Sequence, residues 1–298
     1  MMVGEDKVPT PFQPHNLGVV GQKGRGVGHS AIIIGASSGI GAGLAKALAQ
    51  QGYTLGLVAR RDENLRKLAA ALPTTTFTRV ADIADCRPAM QILGELLEAM
   101  GGVQLVIITA GIGQENSDLA WRPEAETIAV NVTGFAAMAN VAMRHFLARG
   151  SGHLVGISSI AGIRADGRAP AYGASKAFVS RYMQALRHKI AKQQLPIHIT
   201  DIQAGFIDTA MAKGDGLFWI APVDVACEQI LRAIRRRQKH AYMTQRWRLI
   251  AWLCDFCRSG PTTACSKLER AAEEARQTFP PPRKSDRAAT GTTRLTSC

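Results

Sequence analysis

The sequence is short of the features that would make it a stapled, spanning or fibrous protein. Six cysteines (Cys86, Cys227, Cys254, Cys257, Cys265 and Cys298) are too few and too scattered to cross-link 298 residues, and they exclude a disulfide scaffold. Aromatic residues make up only 6% of the chain. No apolar run reaches the roughly 18 residues needed to cross a bilayer. No signal-peptide pattern opens the sequence, so a reducing, cytoplasmic compartment is expected. With 46% hydrophobic and 20% charged residues, the chain can bury a substantial core. Its length does not force a division, because α/β folds run to about 250 residues as one unit.

Charge of one sign is in excess, but it is unevenly placed. The net charge is +13, a value that suggests nucleic acid or an anionic membrane as partner. Residues 1–234 hold 22 basic and 18 acidic residues, whereas residues 235–298 hold 14 and 5. The excess belongs to the C-terminal segment. A nucleic-acid-binding protein needs a basic face on its folded domain, so no nucleic-acid partner is expected.

Residues 1–29 carry three prolines and then five glycines without apolar periodicity, which predicts a flexible leader. From Ala31 short β-rich runs alternate with helical stretches. AIIIGAS precedes GAGLAKALAQ, TLGLVA precedes ENLRKLAAAL, and TFTRVAD precedes a helix from Pro88 to Met100. QLVIITAG precedes a long helix through NVTGFAAMANVAMRHFL, HLVGISS precedes a helix through SKAFVSRYMQALRHKIA, and IHITDIQAG follows. Six strands in this order predict an α/β fold, a doubly wound parallel sheet of the Rossmann type forming a single domain over residues 30–245. A helix from Pro222 to Arg236 and the short run HAYMT complete it. Residues 246–258 read as an apolar C-terminal helix, and residues 259–298 as a disordered basic tail.

The most informative stretch is Gly35-Ala36-Ser37-Ser38-Gly39-Ile40-Gly41, which leaves the first strand and enters a helix. In that position a glycine-rich turn binds phosphate. Gly35 permits the tight turn, Gly39 lets a pyrophosphate approach the backbone, and Gly41 allows close helix packing, while the helix N-terminus offers N–H groups and the positive end of its dipole. A second constellation lies downstream. On a helix, Tyr172 and Lys176 stand one turn apart on one face, where the ammonium is expected to favour the ionised phenol and pull its pKa below the reference value near 10. Ser159 ends a strand at the edge where open α/β sheets hold ligands, and it can hydrogen-bond a carbonyl oxygen. Ser158, pointing the other way along the strand, reads as structural.

The G-x-x-x-G-x-G spacing, the pentapeptide Tyr172-Gly173-Ala174-Ser175-Lys176, and Ser159 thirteen positions before that tyrosine together resemble the short-chain dehydrogenase/reductase family over about Ser30 to Thr244. The resemblance implies an oxidoreductase that interconverts a carbonyl and an alcohol with a nicotinamide dinucleotide. It implies Tyr172 as proton donor in reduction, Ser159 as the residue that orients the carbonyl, Lys176 as a holder of the nicotinamide ribose, and Asn131 of NVTG as a relay residue acting through water. Asp82 matches the family's adenine contact, with capping of the next helix as its other reading. Thr109-Ala110-Gly111 stands where the family has Asn-Asn-Ala-Gly, with Thr in place of the Asn that ties the central strands. Gly205 and Thr209 match the loop that meets the carboxamide, although Ala204 replaces a proline. The family commonly pairs subunits through the long helices after the fourth and fifth of these strands, so a homo-oligomer is expected.

The end of the second strand selects the cofactor. Ala59 offers no carboxylate to a free 2′-hydroxyl, whereas Arg60, supported by Arg61 and Ser37, suits a 2′-phosphate. NADP (NADPH) is therefore the expected cofactor, with Ser38 and Ile40 completing its phosphate turn. No metal is expected, since Cys254-x-x-Cys257 has no second pair or nearby histidines. Residues 246–257 either pack against the domain or make a peripheral membrane contact beside the basic cluster at Arg232–Lys239. The rival to catalysis is a dinucleotide-binding sensor or scaffold without turnover; an altered Ser, Tyr or Lys would favour it, and all three are intact.

Overall fold

A computed structural model describes residues 19–20, 29–163, 167–205, 207 and 221–243. The expected apolar helix at 246–258, the tail at 259–298 and Thr209 lie outside the described residues.

The strands are β1 (Val19–Val20), β2 (Ser30–Ile34), β3 (Thr54–Ala59), β4 (Thr76–Val80), β5 (Leu105–Ile108), β6 (Gly152–Ser159), β7 (Ile197–Ala204) and β8 (His240–Met243). The helices are α1 (Gly39–Gln50), α2 (Asp62–Ala70), α3 (Cys86–Met100), α4 (Trp121–Ile128), α5 (Phe135–Arg149), α6 (Pro170–Ala191) and α7 (Val223–Arg235). The sheet runs β1-β4-β3-β2-β5-β6-β7-β8. Strands β2 to β8 are parallel, as the alternating pattern predicts, and the run HAYMT supplies the seventh parallel strand. Val19 and Val20, inside the stretch read as a leader, pair antiparallel with Phe77 and Thr76 at the sheet edge.

Continuous apolar runs make the central strands, because both faces of a doubly wound sheet are covered. Ile32, Ile33 and Ile34 are each at most 1% exposed, and burial of such a side chain contributes about 1.5–3 kcal/mol. Alternate residues join opposite cores. Ile33, Leu57, Ile107 and Val155 pack with α1 and α7 on one face, whereas Ile32, Val106, Leu154 and Ile199 pack with α3, α5 and α6 on the other.

Strand order reverses between β2 and β5, so the connections after these two strands diverge to opposite sides and leave a crevice at their carboxyl ends. Gly35 and Thr109 emerge side by side there. The long helix expected through NVTG is interrupted: residues Ala129–Gly134 form a π-helical turn between α4 and α5. Gly134 closes this turn where a Cβ would stand 2.6 Å from the Ile83 carbonyl oxygen, so the bulge presses against the loop after β4. Among the described residues no helix is long and apolar enough to cross a membrane.

Candidate active site

The glycine turn is built by conformation and close approach. Gly35 has φ +96° and Gly39 φ +53°, in the left-handed region that glycine tolerates. A Cβ at Gly35 would meet the Ala110 nitrogen at 2.5 Å, and one at Gly41 would run into the Gly35 carbonyl. No side chain caps the N-terminus of α1, so the first-turn N–H groups beginning at Gly39, Ile40 and Gly41 face the crevice with the positive dipole end behind them. Thr109 does the tying that its replacement of Asn left open: its hydroxyl donates to the Ile34 carbonyl at 3.0 Å and links β5 to β2 beneath the turn. Ala110 also donates its N–H to Ile34, at 2.9 Å.

The basic end of β3 reaches the same turn. Arg61 donates to Ser38 Oγ at 2.6 Å and to Ser37 Oγ at 3.1 Å. Arg60 is instead turned toward Asp82, with a guanidinium nitrogen 3.5 Å from its carboxylate. Asp82 does not cap α3; its Oδ1 accepts from the Ala84 N–H at 3.0 Å within its own loop. Gly205 donates its N–H to the Met243 carbonyl at 2.7 Å, joining the end of β7 to β8.

Ser159, Tyr172, Lys176 and Asn131 converge across the crevice. Ser159, 8% exposed, ends β6 and begins a short 3₁₀ turn, where its Oγ donates to the Ala204 carbonyl at 3.2 Å and accepts from Ala161 N–H at 3.1 Å. Ser159 also acts on the neighbouring Tyr172 phenol, favouring its ionised form. The Lys176 ammonium lies 5.7 Å from the centre of the Tyr172 ring and donates to the Ile157 carbonyl at 3.0 Å. Asn131, on the π turn, accepts from the Ile112 N–H at 2.9 Å and donates to the Ile112 carbonyl at 2.7 Å and to Ser175 Oγ at 3.0 Å. Single-turn π bulges recur at functional sites because they re-aim one side chain out of the helix register.

Burial corrects the expected titration of the phenol. Desolvation raises the Tyr172 pKa, and the influence of Ser159 only partly opposes it. One helical turn brings Lys176 beside the ring, but its ammonium points to the Ile157 carbonyl. Desolvation lowers the Lys176 pKa to about 8, with the charge of Asp201 acting in the opposite direction. The site therefore holds a protonated phenol next to an ammonium that releases its proton just above neutrality.

Two contributors, Gly113 and Ser175, escaped the sequence reading. Gly113 backs the phenol: a Cβ there would stand 2.9 Å from Tyr172 Cδ2. Ser175 joins Asn131 to the helix by donating to the Tyr172 carbonyl at 2.7 Å; it lies within the pentapeptide but carried no assigned role. Gly111 lies where a Cβ would be 3.2 Å from both Asn131 Oδ1 and Lys176 Nζ, which makes it a packing partner of the catalytic candidates. The nearby repetition Gly111-Ile112-Gly113 was the available signal for Gly113. Ser158 is structural, as its alternation implies, and bonds to Asp201.

Known proteins resemble the chain in sequence and in fold. The family model described as short chain dehydrogenase matches residues 29–216. An uncharacterized oxidoreductase of Mycobacterium tuberculosis is 36% identical over 220 residues, covering 70% of this chain and 86% of its own length. Another, from Myxococcus xanthus, is 34% identical over 187 residues, covering 61% of this chain and 73% of its own. Among solved structures, a short-chain dehydrogenase from Sphingobium yanoikuyae in complex with NADPH superposes with a TM-score of 0.65 at 23% identity, covering 87% of this chain and 99% of that one. A Burkholderia phymatum short chain dehydrogenase/reductase in complex with NAD gives a TM-score of 0.69 at 20% identity, covering 76% and 92%.

Proposed function

The chain belongs to the short-chain dehydrogenase family, and on that footing we propose that it is an NADP(H)-dependent oxidoreductase interconverting a ketone or aldehyde with the corresponding alcohol. The observation that carries this reading is the Ser159–Tyr172 hydroxyl pair with the Lys176 ammonium 5.7 Å from the ring, set beside an uncapped helix N-terminus at a glycine turn.

The residues at the turn fit a dinucleotide. The N–H groups from Gly39, Ile40 and Gly41 suit a pyrophosphate. The guanidinium of Arg61, already bonded to Ser37 and Ser38, suits a 2′-phosphate better than a free hydroxyl. Arg60 adds charge to that corner while its pairing with Asp82 fixes the rim on the adenine side. Ala110, Gly111 and Gly205 supply backbone at the crevice, and Thr209 is assigned to the carboxamide on family resemblance. A bound nicotinamide dinucleotide supplies or accepts hydride.

In reduction, Ser159 donates a hydrogen bond to the substrate carbonyl oxygen, and Tyr172 transfers its phenolic proton to the same oxygen as negative charge develops there. Lys176 offsets the charge left on the phenolate and holds the ribose, and Asn131 orders the water through which the proton is replaced. In oxidation the proton moves in the opposite direction. We also propose that the enzyme works as a homo-oligomer. Trp121 and Ile128 of α4 are 74% and 41% exposed beside α6, a composition suited to subunit contact, and light scattering during gel filtration tests it.

The experiment is a panel of ketones and aldehydes read by loss of NADPH absorbance. Turnover of at least one carbonyl by the parent and its collapse in Tyr172→Phe are expected. A panel without turnover, from a protein that binds NADPH, favours the sensor role instead.

A further inference from the structure

A fully buried ammonium is costly unless a compensating negative charge is near. Lys176 is buried among the site residues, and its hydrogen-bond acceptor is the neutral Ile157 carbonyl. Among the described residues the only buried carboxylate is that of Asp201, 0% exposed, on β7. It faces α6, the same side of the sheet as Ile199.

Both ends of the Lys176 contact lead to this carboxylate. Ser158, which directly follows Ile157, donates to Asp201 Oδ1 at 2.5 Å. Ser180, the next turn of α6 after Lys176, donates to Asp201 Oδ2 at 2.5 Å and accepts from Gln203 Nε2 at 3.2 Å. From β8, His240 Nδ1 stands 3.4 Å from Oδ2. The other ring nitrogen of His240 meets the Arg187 guanidinium of α6 at 2.8 Å. The groups that titrate or carry charge around this centre are thus Tyr172, Lys176 and Arg187 of α6 and His240 of β8.

We propose that Asp201 is a positioning residue of the reaction: a carboxylate clamped by Ser158 and Ser180 whose charge keeps the neighbouring Lys176 ammonium protonated. The inference rests on the assignment of Lys176 to proton transfer. The electrostatics are consistent with it. Burial pushes Asp201 toward the neutral form, but the bonds from His240, Ser158 and Ser180 outweigh burial and lower its pKa. Asp201 in turn raises the Lys176 pKa against the dominant effect of desolvation. With the carboxylate removed, desolvation acts alone and the Lys176 pKa falls further.

The test separates the charge from the chemistry. The Lys176 ¹³Cε resonance, assigned by its loss in Lys176→Arg, is titrated in the free parent, in Asp201→Asn and in Asp201→Glu, beside the pH profile of kcat/KM for NADPH-dependent reduction. The parent should titrate near 8. Asp201→Asn should lower that midpoint by roughly one unit or more, a tenfold change in proton affinity, and Asp201→Glu should restore it. The alkaline limb of the rate profile should move with the midpoint. An unmoved Lys176 midpoint in folded Asp201→Asn overturns the inference even if Tyr172→Phe is inactive, which leaves the oxidoreductase reading intact. A lowered midpoint with an unmoved rate profile supports the charge coupling and refutes the role given to Lys176. If Asp201→Asn does not fold, the parent decides: a Lys176 midpoint below 7 means that the Asp201 charge does not reach it.

Discussion

Asn131 grips Ile112 at both ends of one residue, accepting its N–H at 2.9 Å and donating to its carbonyl at 2.7 Å. The π turn between α4 and α5 is thereby fastened to the loop that follows β5, and Ser175 extends the link to α6. Three elements of the site share one amide. Asn131→Leu removes every one of these bonds and leaves the Ile112 backbone and Ser175 without them. A loss of about 2–4 kcal/mol in stability is expected from such buried partners, measured as a fall in the urea midpoint. Asn131→Ser, which keeps one short polar group, should fall in between.

Arg61, bonded to both serines of the glycine turn, stands closer to the turn than Arg60, which is paired with Asp82. Each charge-assisted hydrogen bond to a 2′-phosphate contributes roughly 1.5–3 kcal/mol. Fluorescence titration should show NADPH binding more than tenfold tighter than NADH in the parent. Arg61→Ala should erase most of that ratio, and Arg60→Ala less of it. Equal affinities in the parent would refute the assignment.

The alternation of apolar runs and helical stretches carried the sheet, because parallel strands covered on both faces must be apolar throughout. The glycine turn and the Ser–Tyr–Lys spacing were legible for a similar reason, since conformation and helical period are local properties. The π turn was not, because AVNVTG has ordinary helical composition and the shift from α to π is one residue of hydrogen-bond offset, decided by packing of Gly134 on Ile83. The direction of the Tyr172 pKa was missed because it depends on burial summed over β5, β6 and α6, not on the one-turn spacing to Lys176. Asp201 appears in sequence as one of four polar residues in the strand IHITDIQA, beside His198, Thr200 and Gln203; only the register of β6 against β7 brings Ser158 to it.

His153, at the start of β6, is held neutral away from the site. Thr200 donates its hydroxyl to the Gln238 carbonyl at 2.6 Å, so the 2.8 Å contact between His153 Nε2 and Thr200 Oγ1 makes the imidazole N–H the donor. Burial, followed by the nearby His198 and Arg237, lowers the His153 pKa from 6.5 to about 4. The unfolded chain then binds more protons than the native one between these values. Stability is complete above about pH 6.5 and is lost as pH falls toward 4, by up to about 3 kcal/mol. Urea midpoints at pH 7 and pH 4.5 measure the loss, and His153→Gln should flatten that part of the dependence.

Gly113 leaves no room beside the phenol, since a Cβ would stand 2.9 Å from Tyr172 Cδ2 and 3.0 Å from Cε2. Gly113→Ala must push the ring or the loop aside by a few tenths of an ångström. Misplacement on that scale costs turnover more than binding. A drop in kcat with the NADPH dissociation constant unchanged is expected, and a variant with parental kcat would show that the loop yields instead of the ring.

Tyr172→Phe deletes the phenolic oxygen and keeps the ring against Gly113, so NADPH binding should survive while turnover falls roughly 100-fold or more, within the 10²–10⁴-fold that general acid catalysis supplies. Ser159→Ala acts on the same step, and Lys176→Ala should weaken cofactor binding as well. The pH profile separates the two titrating groups. Burial keeps the phenol protonated beyond its ordinary range, so Tyr172 does not limit reduction near neutrality. Lys176, lowered to about 8 by desolvation, does: kcat/KM for reduction should be level below that value and decline above it as the ammonium loses its proton. Lys176→Arg, whose guanidinium stays charged, should carry residual activity without that inflection. A parental profile that is level through pH 9 would remove Lys176 from the proton-transfer step, whereas an inflection near 8 that persists in Lys176→Arg would assign it to another group.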